Sequence, residues 1–294
     1  FNGAMPTFAQ AQARLCSAAL TPTCVRREIS SEIPSPDHEL TYSHQASAGI
    51  QRQIGADFAV EANFVFTGQR REETTVNMNL TYDPATGDNI PFAIIAARPY
   101  PDWGFVNGEF MRGWSNYRGL ETSLTKRFSH RWQMAATYTL GTLWDSIGDP
   151  CQMVRTADGS PRCDEITFTL KQDVGGEYTQ ATTDQRHRAV VNGIWEVGAG
   201  FQVSGLYFYG SGMRAATSCA CPARDTGSGG GTRRRDDGTF LPRNDFVGQP
   251  LHRVDTRFQK RFSLGGRATI DGMLEVYNLF NHKNYGSYTT NVDN

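Results

Sequence analysis

The chain has 294 residues, with 30 glycines, 11% aromatic residues and 38% hydrophobic residues, and its formal net charge at pH 7 is -1. This composition favours a protein of strands and turns over a helical one. No apolar run approaches the ~20 residues that a membrane helix needs, and the near-neutral charge provides no basic surface for nucleic acid. A helical membrane protein is therefore excluded, and no nucleic-acid partner is expected.

Eight strands are predicted from the alternation of apolar and polar residues. The segment before residue 39 is irregular, because four prolines interrupt any periodicity there. The predicted strands span residues 39–54, 57–70, 114–129, 132–145, 183–197, 201–213, 251–264 and 267–280. Short turns lie at 55–56, 130–131, 198–200 and 265–266, and long loops lie at 71–113, 146–182 and 214–250. Residues 103–111 are either a short strand or the upper part of the following one.

Strand length and loop length distinguish two folds that alternation alone does not. Alternating strands suit both a soluble sandwich and a membrane barrel. The predicted strands have about fourteen residues, which exceeds both the ~5 to 6 of globular sheets and the ~9 to 11 that cross a bilayer. Short turns alternate strictly with long loops. We therefore predict an all-β fold of antiparallel transmembrane β-barrel strands, with short periplasmic turns and long extracellular loops.

Four stretches of the sequence carry a resemblance to one family. They are RVDTRFQKRFSLGGR followed by EVYNLFNHKNYG, NYRGLETSLTKRFSHRWQMAATYTLGTLWDS, DQRHRAVVNGIWEV and FQVSGLYFYGSG. Together they resemble the last hairpins of TonB-dependent outer-membrane receptors, particularly the Oar-like kind with a carboxypeptidase-regulatory-like domain in front.

The resemblance implies that residues 1–294 are the C-terminal part of one large barrel. Such receptors have about 22 strands around a plugged lumen, so the plug domain, the TonB-contacting segment and the earlier strands are expected outside this sequence. The chain begins at Phe1 without a signal peptide, which also suggests a fragment. The implied location is the outer membrane of a Gram-negative bacterium. The implied partners are outer-membrane lipid, the TonB complex through the absent N-terminal region, and an unknown ligand.

The alternation also predicts which residues face lipid and which face the lumen of the barrel. The set expected to face lipid is Phe58, Val60, Phe64, Met134, Ala136, Val191, Val203, Ile270 and Leu274. The set expected to face the lumen is Glu61, Asn63, Asp255, Arg257, Asp271 and Glu275.

The cysteines form three local pairs, all on the long-loop side of the predicted topology. The pairs are Cys16 with Cys24, Cys151 with Cys163, and Cys219 with Cys221. Loops held by separate hairpins favour partners within one loop, and export to an oxidising compartment permits disulfides. We predict bonds in the first two pairs. The third pair stays open between bonded and free, because so small a ring is strained.

Five aromatic residues lie near predicted strand ends or in the long loops, and they are Tyr100, Trp103, Trp114, Trp144 and Tyr178. Aromatic residues at such places form the interfacial girdle of a barrel, and a role in stacking on a ligand at the barrel mouth is the alternative. The pattern does not choose between the two roles for any one of them.

No motif of enzymatic chemistry is found in the sequence. No nucleophile elbow or glycine-rich phosphate loop follows a strand into a helix, and the cysteine spacing does not suit a zinc site. His187 and His282 sit at predicted strand ends, where a hydrogen-bonding role is expected. We therefore predict no catalytic residue, no cofactor and no metal.

Three functions are compatible with these observations. The first is an outer-membrane receptor that imports a bulky nutrient in a TonB-dependent manner. The second is an Oar-like surface protein whose loops serve adhesion or assembly without transport. The third is a secreted β-rich fragment that assembles through its sheet edges. A plug with a TonB box in the upstream sequence would distinguish the first from the second.

Overall fold

The computed structural model describes residues 29–34, 39–83, 89–146, 153–155, 161–163, 178–217, 225, 241–266 and 268–290. These residues form β-strands and one 3-10 helix, Ile95–Ala97. The strands are β1 (Ile29–Pro34), β2 (Tyr42–Ile54), β3 (Phe58–Asn77), β4 (Trp103–Ser129), β5 (Trp132–Asp145), β6 (Met153–Arg155), β7 (Pro161–Cys163), β8 (Thr179–Gln180), β9 (His187–Gly198), β10 (Phe201–Gly210), β11 (Arg214–Ala215), β12 (Phe246–Val247), β13 (Leu251–Ser263) and β14 (Thr269–Val276).

Eight long strands form one sheet in the order β14-β13-β10-β9-β5-β4-β3-β2. All seven contacts along this path are antiparallel. Neighbours in the sheet are neighbours in the sequence, apart from the short elements in the loops. The prediction of an all-β fold of antiparallel strands is therefore confirmed.

Two strands are longer than the alternation predicted. β3 continues to Asn77 instead of ending at 70, and β4 begins at Trp103, so residues 103–111 are the upper part of this strand, which was one of the two predicted alternatives. A bulge at Arg71, which has a φ of 57°, shifts the register between Arg70 and Glu72. A bulge moves every later side chain of the strand to the other face of the sheet. The simple alternation of apolar and polar residues therefore does not continue past this point.

Five strands are shorter than predicted. β2 begins at Tyr42 instead of 39, and β13 ends at Ser263 instead of 264. β9 begins at His187 instead of 183, because Asp184 lies before the strand and accepts a hydrogen bond from the Leu143 backbone N–H at 2.7 Å. β10 ends at Gly210 instead of 213, and β14 spans 269–276 instead of 267–280. These differences leave the order and the pairing of the strands unchanged.

The tight turns lie together at one end of the long strands. His130 and Arg131 both have positive φ, 51° and 69°, which is the conformation of a type I′ hairpin turn. Gly265 and Gly266, in the turn before β14, also have positive φ, 89° and 60°. Below the first turn the buried Lys126 donates from Nζ to the carbonyl oxygens of Ser129 and Trp132, each at 3.0 Å. These bonds tie the Lys126 ammonium group to the backbone of the turn.

The long connections lie at the opposite end of the strands, and part of this end is compact. β1 pairs parallel to the first residues of β4. The 3-10 helix and its neighbours fold onto the end of the β3–β4 pair, where Phe92 and Val106 are buried. In the described part of the chain, the buried apolar core is confined to this end and its surroundings, and the long strands have no second layer against them.

Candidate functional site

The main sheet has one apolar face and one polar face. Residues opposite each other in antiparallel strands point to the same face, so the register traces rows across the sheet. One row runs from β3 to β13 through Val60, Leu124, Ala136, Val191, Tyr207 and Val254. The adjacent row, on the other face, runs from β2 to β5 through Gln51, Glu61, Ser123 and Thr137.

The register places the two predicted sets of residues on opposite faces. Val60, Ala136 and Val191 share the first row above, and Phe258 links Val203 on one side to Leu274 on the other. On the polar face Arg257 lies opposite Glu275 and forms an ion pair with it, and Arg261 bonds Asp271 at 2.8 Å.

The apolar face is uncovered in the part of the chain that the structure describes. Ile50 is 71% exposed, Trp195 is 56% exposed and Leu274 is 61% exposed. Apolar surface of this extent marks a site of contact with lipid or with another protein. The paired carboxylates and guanidinium groups of the opposite face suit a hydrated space instead.

A cluster of aromatic residues closes the apolar face on the side of the long loops. The Tyr178 ring lies 5.6 Å from the Trp114 ring and 5.5 Å from the Trp144 ring. The hydroxyl of Tyr178 accepts a hydrogen bond from Asn116 Nδ2 at 2.7 Å. We call Trp114, Trp144 and Tyr178 the loop-side aromatic band. The structure thus brings together three of the five aromatic residues singled out in the sequence.

A second cluster closes the same face on the side of the tight turns. Trp132 pairs with Trp195 in register, and the Phe58 ring meets the Trp132 ring edge-to-face at 6.4 Å. The turn-side aromatic band consists of Phe58, Trp132, Trp195, Phe201 and Phe262. Sequence reasoning missed it as a band, although tryptophans next to the predicted turns were a signal that could have identified it.

The separation of the two bands can be estimated along β5, which carries a tryptophan at each end. Trp132 and Trp144 are twelve residues apart on this strand. At a rise of ~3.3 Å per residue this is ~40 Å of strand, and a tilt of ~40° reduces it to a height of ~30 Å. Outer-membrane strands have an apolar band of ~25 Å between aromatic girdles. The apolar face therefore has the height and the borders of a membrane-facing surface.

Beyond the loop-side band the chain folds into a compact unit, which we call the head and define as residues 72–83, 89–113 and Asp225. Asn79 lies at its centre and is fully buried. Its Nδ2 donates to the carbonyl oxygens of Tyr100, Trp103 and Gly104 at 3.0, 2.9 and 2.7 Å, and its Oδ1 accepts from the Tyr100 N–H at 2.8 Å. One side chain therefore fixes the backbone of the whole turn before β4.

A group of stacked side chains also stabilises the head. The Arg98 guanidinium lies 3.7 Å from the centre of the Phe92 ring, which stacks on Phe105 at 5.3 Å. Asp225, from a distant loop, accepts hydrogen bonds from the backbone N–H groups of Phe92 at 2.9 Å and Ala93 at 2.7 Å. Two long loops are thereby joined in one unit.

The head presents aromatic side chains outward. Tyr100 is 44% exposed and Trp103 is 38% exposed, and their backbones are joined by a hydrogen bond from the Trp103 N–H to the Tyr100 carbonyl at 3.0 Å. The five predicted aromatic residues therefore divide into two groups, because Tyr100 and Trp103 lie on the head and the other three lie in the loop-side band.

A buried carboxyl group lies where the head joins the sheet. Glu72, which follows the bulge beyond the loop-side band, accepts a hydrogen bond from Ser115 Oγ at 2.7 Å. Burial raises the pKa of Glu72, the bond from Ser115 lowers it, and the nearby charge of Asp145 raises it. Asp145 in turn forms an ion pair with Arg243 from the last long loop.

Most of the predicted cysteine pairs lie outside the described residues. Of the six cysteines only Cys163 is described, as the end of β7 opposite Met153. The disulfides therefore stay a prediction. The predicted hydrogen-bonding histidines are described, and His187 Nδ1 lies 2.8 Å from the hydroxyl of Tyr138. His282 lies beside His252, with ring centres 4.9 Å apart.

No group of three or more His, Cys, Asp or Glu side chains that could hold a metal ion occurs among the described residues. No helix among them is long and apolar enough to cross a membrane.

The family of the chain follows from a comparison with known families. Residues 6–239 match the model of the outer membrane beta barrel domain. The chain therefore belongs to the outer membrane β-barrel domain family, and its location is the outer membrane of a Gram-negative bacterium. The predictions of fold class and of location are confirmed. A comparison with curated proteins found no match.

One solved structure has the same fold. The outer membrane transporter YddB of Escherichia coli aligns with a TM-score of 0.53 at 9% identity, over 88% of this chain and 31% of that one. The ferric-catecholate import receptor Fiu of E. coli K12 aligns at 0.46 and 14% identity, over 84% and 24%. A chain of the FpvAI–pyocin S2 complex aligns at 0.42 and 10% identity, over 81% and 22%. The chain thus spans less than a third of each of these proteins.

Proposed function

We propose that the chain is the C-terminal barrel portion of an outer-membrane receptor that imports a bulky nutrient with energy supplied through TonB. The observation that carries the proposal is the combination of three features, which are an open wall, a charged inner face and an ordered head. The open wall is the main sheet, whose two edge strands have no further partner strand among the described residues. The Oar-like type remains part of this proposal, on the sequence resemblance alone.

The open wall supports a large barrel. β2 and β14 end the main sheet, and neither has a second partner strand among the described residues. Because a strand edge in lipid leaves its N–H and C=O groups without partners, a membrane barrel must close. Further strands from the rest of the protein would close it, and the resemblance implies about 22 in total.

The charged face supports a hydrated lumen that needs a plug. Arg257 with Glu275 and Arg261 with Asp271 would face the interior of the barrel. A wide lumen with such a wall leaks unless a plug fills it, and a plugged barrel requires an energy input to pass its ligand. We therefore place the plug and the TonB-contacting segment in the part of the protein outside this chain.

The head supports the capture of a ligand at the cell surface. Tyr100 and Trp103 are exposed on a backbone that Asn79 holds in place, so a ligand that stacks on their rings does not have to order this backbone. Exposed aromatic residues on a rigid support are typical anchors of binding sites. We propose Tyr100 and Trp103 as ligand-contacting residues.

An uptake assay in cells that carry the full-length protein tests the transport proposal. A screen of iron chelates, cobalamins, oligosaccharides and peptides first identifies the ligand. Deletion of TonB should then stop uptake and leave surface binding intact, because the head does not depend on TonB. Uptake that persists without TonB would instead identify a porin.

Substitutions in the head test the binding role separately. Tyr100→Ala and Trp103→Ala should each weaken surface binding by at least about fivefold, whereas Tyr285→Ala, which removes another exposed ring, should not. Unchanged binding in both head variants would contradict the assignment of these two residues.

A second candidate function is surface display for adhesion or assembly, and the compact head favours it as well. Normal adhesion without uptake of any ligand, lost on deletion of the head, would support display instead of transport. The third possibility, a secreted fragment, is disfavoured by the outer-membrane location.

A further inference from the structure

From the tight turns up to the loop-side aromatic band, the charged residues of the apolar face all have the same sign. Along the paired segments of the eight long strands below that band no Asp or Glu lies on this face, whereas the opposite face carries both signs. The charged residues of the apolar face are Arg52, Arg70, Arg118, Lys126 and Lys260. They lie towards the two ends of the strands, where headgroups of the two leaflets meet the protein.

Arg118 is the member of this set on the loop side whose guanidinium has no partner in the described part of the chain. It lies opposite Phe66 on β3 and Thr142 on β5, and its side chain is exposed. Thr142 is two residues before Trp144, so Arg118 lies one pleat inside the loop-side aromatic band. An arginine at this depth extends its apolar stem along the surface and carries its charge to the membrane interface.

A second guanidinium lies close to this place. Arg70 bonds Asn116 Oδ1 at 2.9 Å and the Ser115 carbonyl at 3.1 Å. Its Nη1 would be 3.2 Å from a Cβ on Gly68, so the absence of a side chain at Gly68 allows Arg70 to lean towards the level of Arg118. Asn116, which holds Arg70, is two residues from Arg118 on the same strand face.

By contrast, the turn-side lysines are engaged with the protein itself. Lys126 donates four hydrogen bonds around its turn, and Lys260 bonds the Ala199 carbonyl. Their charges satisfy turn carbonyls, so they are poor candidates for holding an external anion.

We propose that Arg118, assisted by Arg70, binds the phosphate of a phosphorylated glycolipid in the outer leaflet of the membrane. The face towards lipid follows from the family, the position follows from the loop-side band, and the sign of the charge requires an anion. Guanidinium groups donate paired hydrogen bonds that match phosphate oxygens. The site lies on the outside of the barrel and is independent of whether the protein transports a nutrient.

Native mass spectrometry of the full-length protein in detergent tests the site. The probe is bisphosphorylated lipid A, with phosphatidylcholine as the uncharged comparison and inorganic phosphate as competitor. Arg118→Gln should reduce the retained lipid A about fivefold, and Arg118→Lys should restore part of it because the charge returns. The matched control is Arg188→Gln, since Arg188 is exposed on the opposite face and contacts Phe208.

The outcomes separate the possible occupants. Retention of lipid A that inorganic phosphate at equal concentration does not displace supports a lipid site, whereas displacement would assign the site to free phosphate and overturn the proposal. Equal retention by the wild-type protein and Arg118→Gln would also overturn it. If Arg118→Gln instead dissociates a dimer without changing lipid retention, the face binds a second copy of the protein.

Discussion

A charge placed on the apolar face should destabilise the protein far more than the same charge one residue away. Ala136 lies on the apolar face of β5 between Trp132 and Trp144, and Thr137 lies on the polar face. Ala136 is four residues from Trp132, which at a rise of ~3.3 Å and a tilt of ~40° is ~10 Å above the turn-side band. This position is within ~5 Å of the middle of a ~30 Å layer.

The expected cost of Ala136→Arg is therefore about 2–3 kcal/mol, near the value for a lipid-facing arginine at the midplane, and Thr137→Arg should cost under about 1 kcal/mol. The measurement is the free energy of unfolding of the full-length protein from phosphatidylcholine vesicles in guanidinium chloride, followed by tryptophan fluorescence. Equal costs, or a larger cost for Thr137→Arg, would refute the assignment of the apolar face to lipid.

Three further predictions concern the head and the loops. Asn79→Ala should speed amide exchange in residues 78–83 and 89–104 and leave β9 and β10 unchanged, because three carbonyl groups lose their donor, at about 1–3 kcal/mol for each buried group left unpaired. Since burial raises the pKa of Glu72, the folded state binds its proton more tightly than the unfolded state, so head stability should fall as the pH rises above about 4.5 towards the raised pKa. Glu72→Gln should abolish this pH dependence in amide exchange, and an unchanged profile would contradict the role of Glu72. Peptide mapping without reduction should show two bonds within loops, Cys16–Cys24 and Cys151–Cys163, and free thiols at both pairs would contradict this.

Much of the wall of the barrel could be predicted from the sequence. The period of two in strands such as β3 and β5 directly encodes which side chains share a face, and the contrast between tight turns and long loops indicates the membrane-barrel class. Turn residues were equally informative, because Gly265 and Gly266 readily take the positive φ that this tight turn requires. These features depend on residues that are close in the sequence, so they can be predicted from short stretches of it.

The upper end of β3 could not be predicted in this way, and the start of β4 was only one of two alternatives. The bulge at Arg71 reverses the phase of the alternation in β3, and a second register shift, between Glu72 and Glu73, does the same in β4. The upper part of the β3–β4 pair therefore does not continue the pattern of the lower part. The head likewise depends on contacts between distant segments. Asp225 accepts a hydrogen bond from Phe92 although more than a hundred residues separate them in the sequence. The residues around either one do not indicate this contact.

The sequence by itself determined the strand order of the wall, its two faces and its class, because pleat and turn geometry act over a few residues. Only the tertiary structure decided which aromatic residues lie at the two ends of the apolar face and which lie on the head. It also showed that Arg118 stands on the apolar face without a partner in the described residues, whereas Lys126 does not. The physical reason is that a side chain's partner depends on which strands become neighbours and in which register, and this pairing is set by the whole sheet.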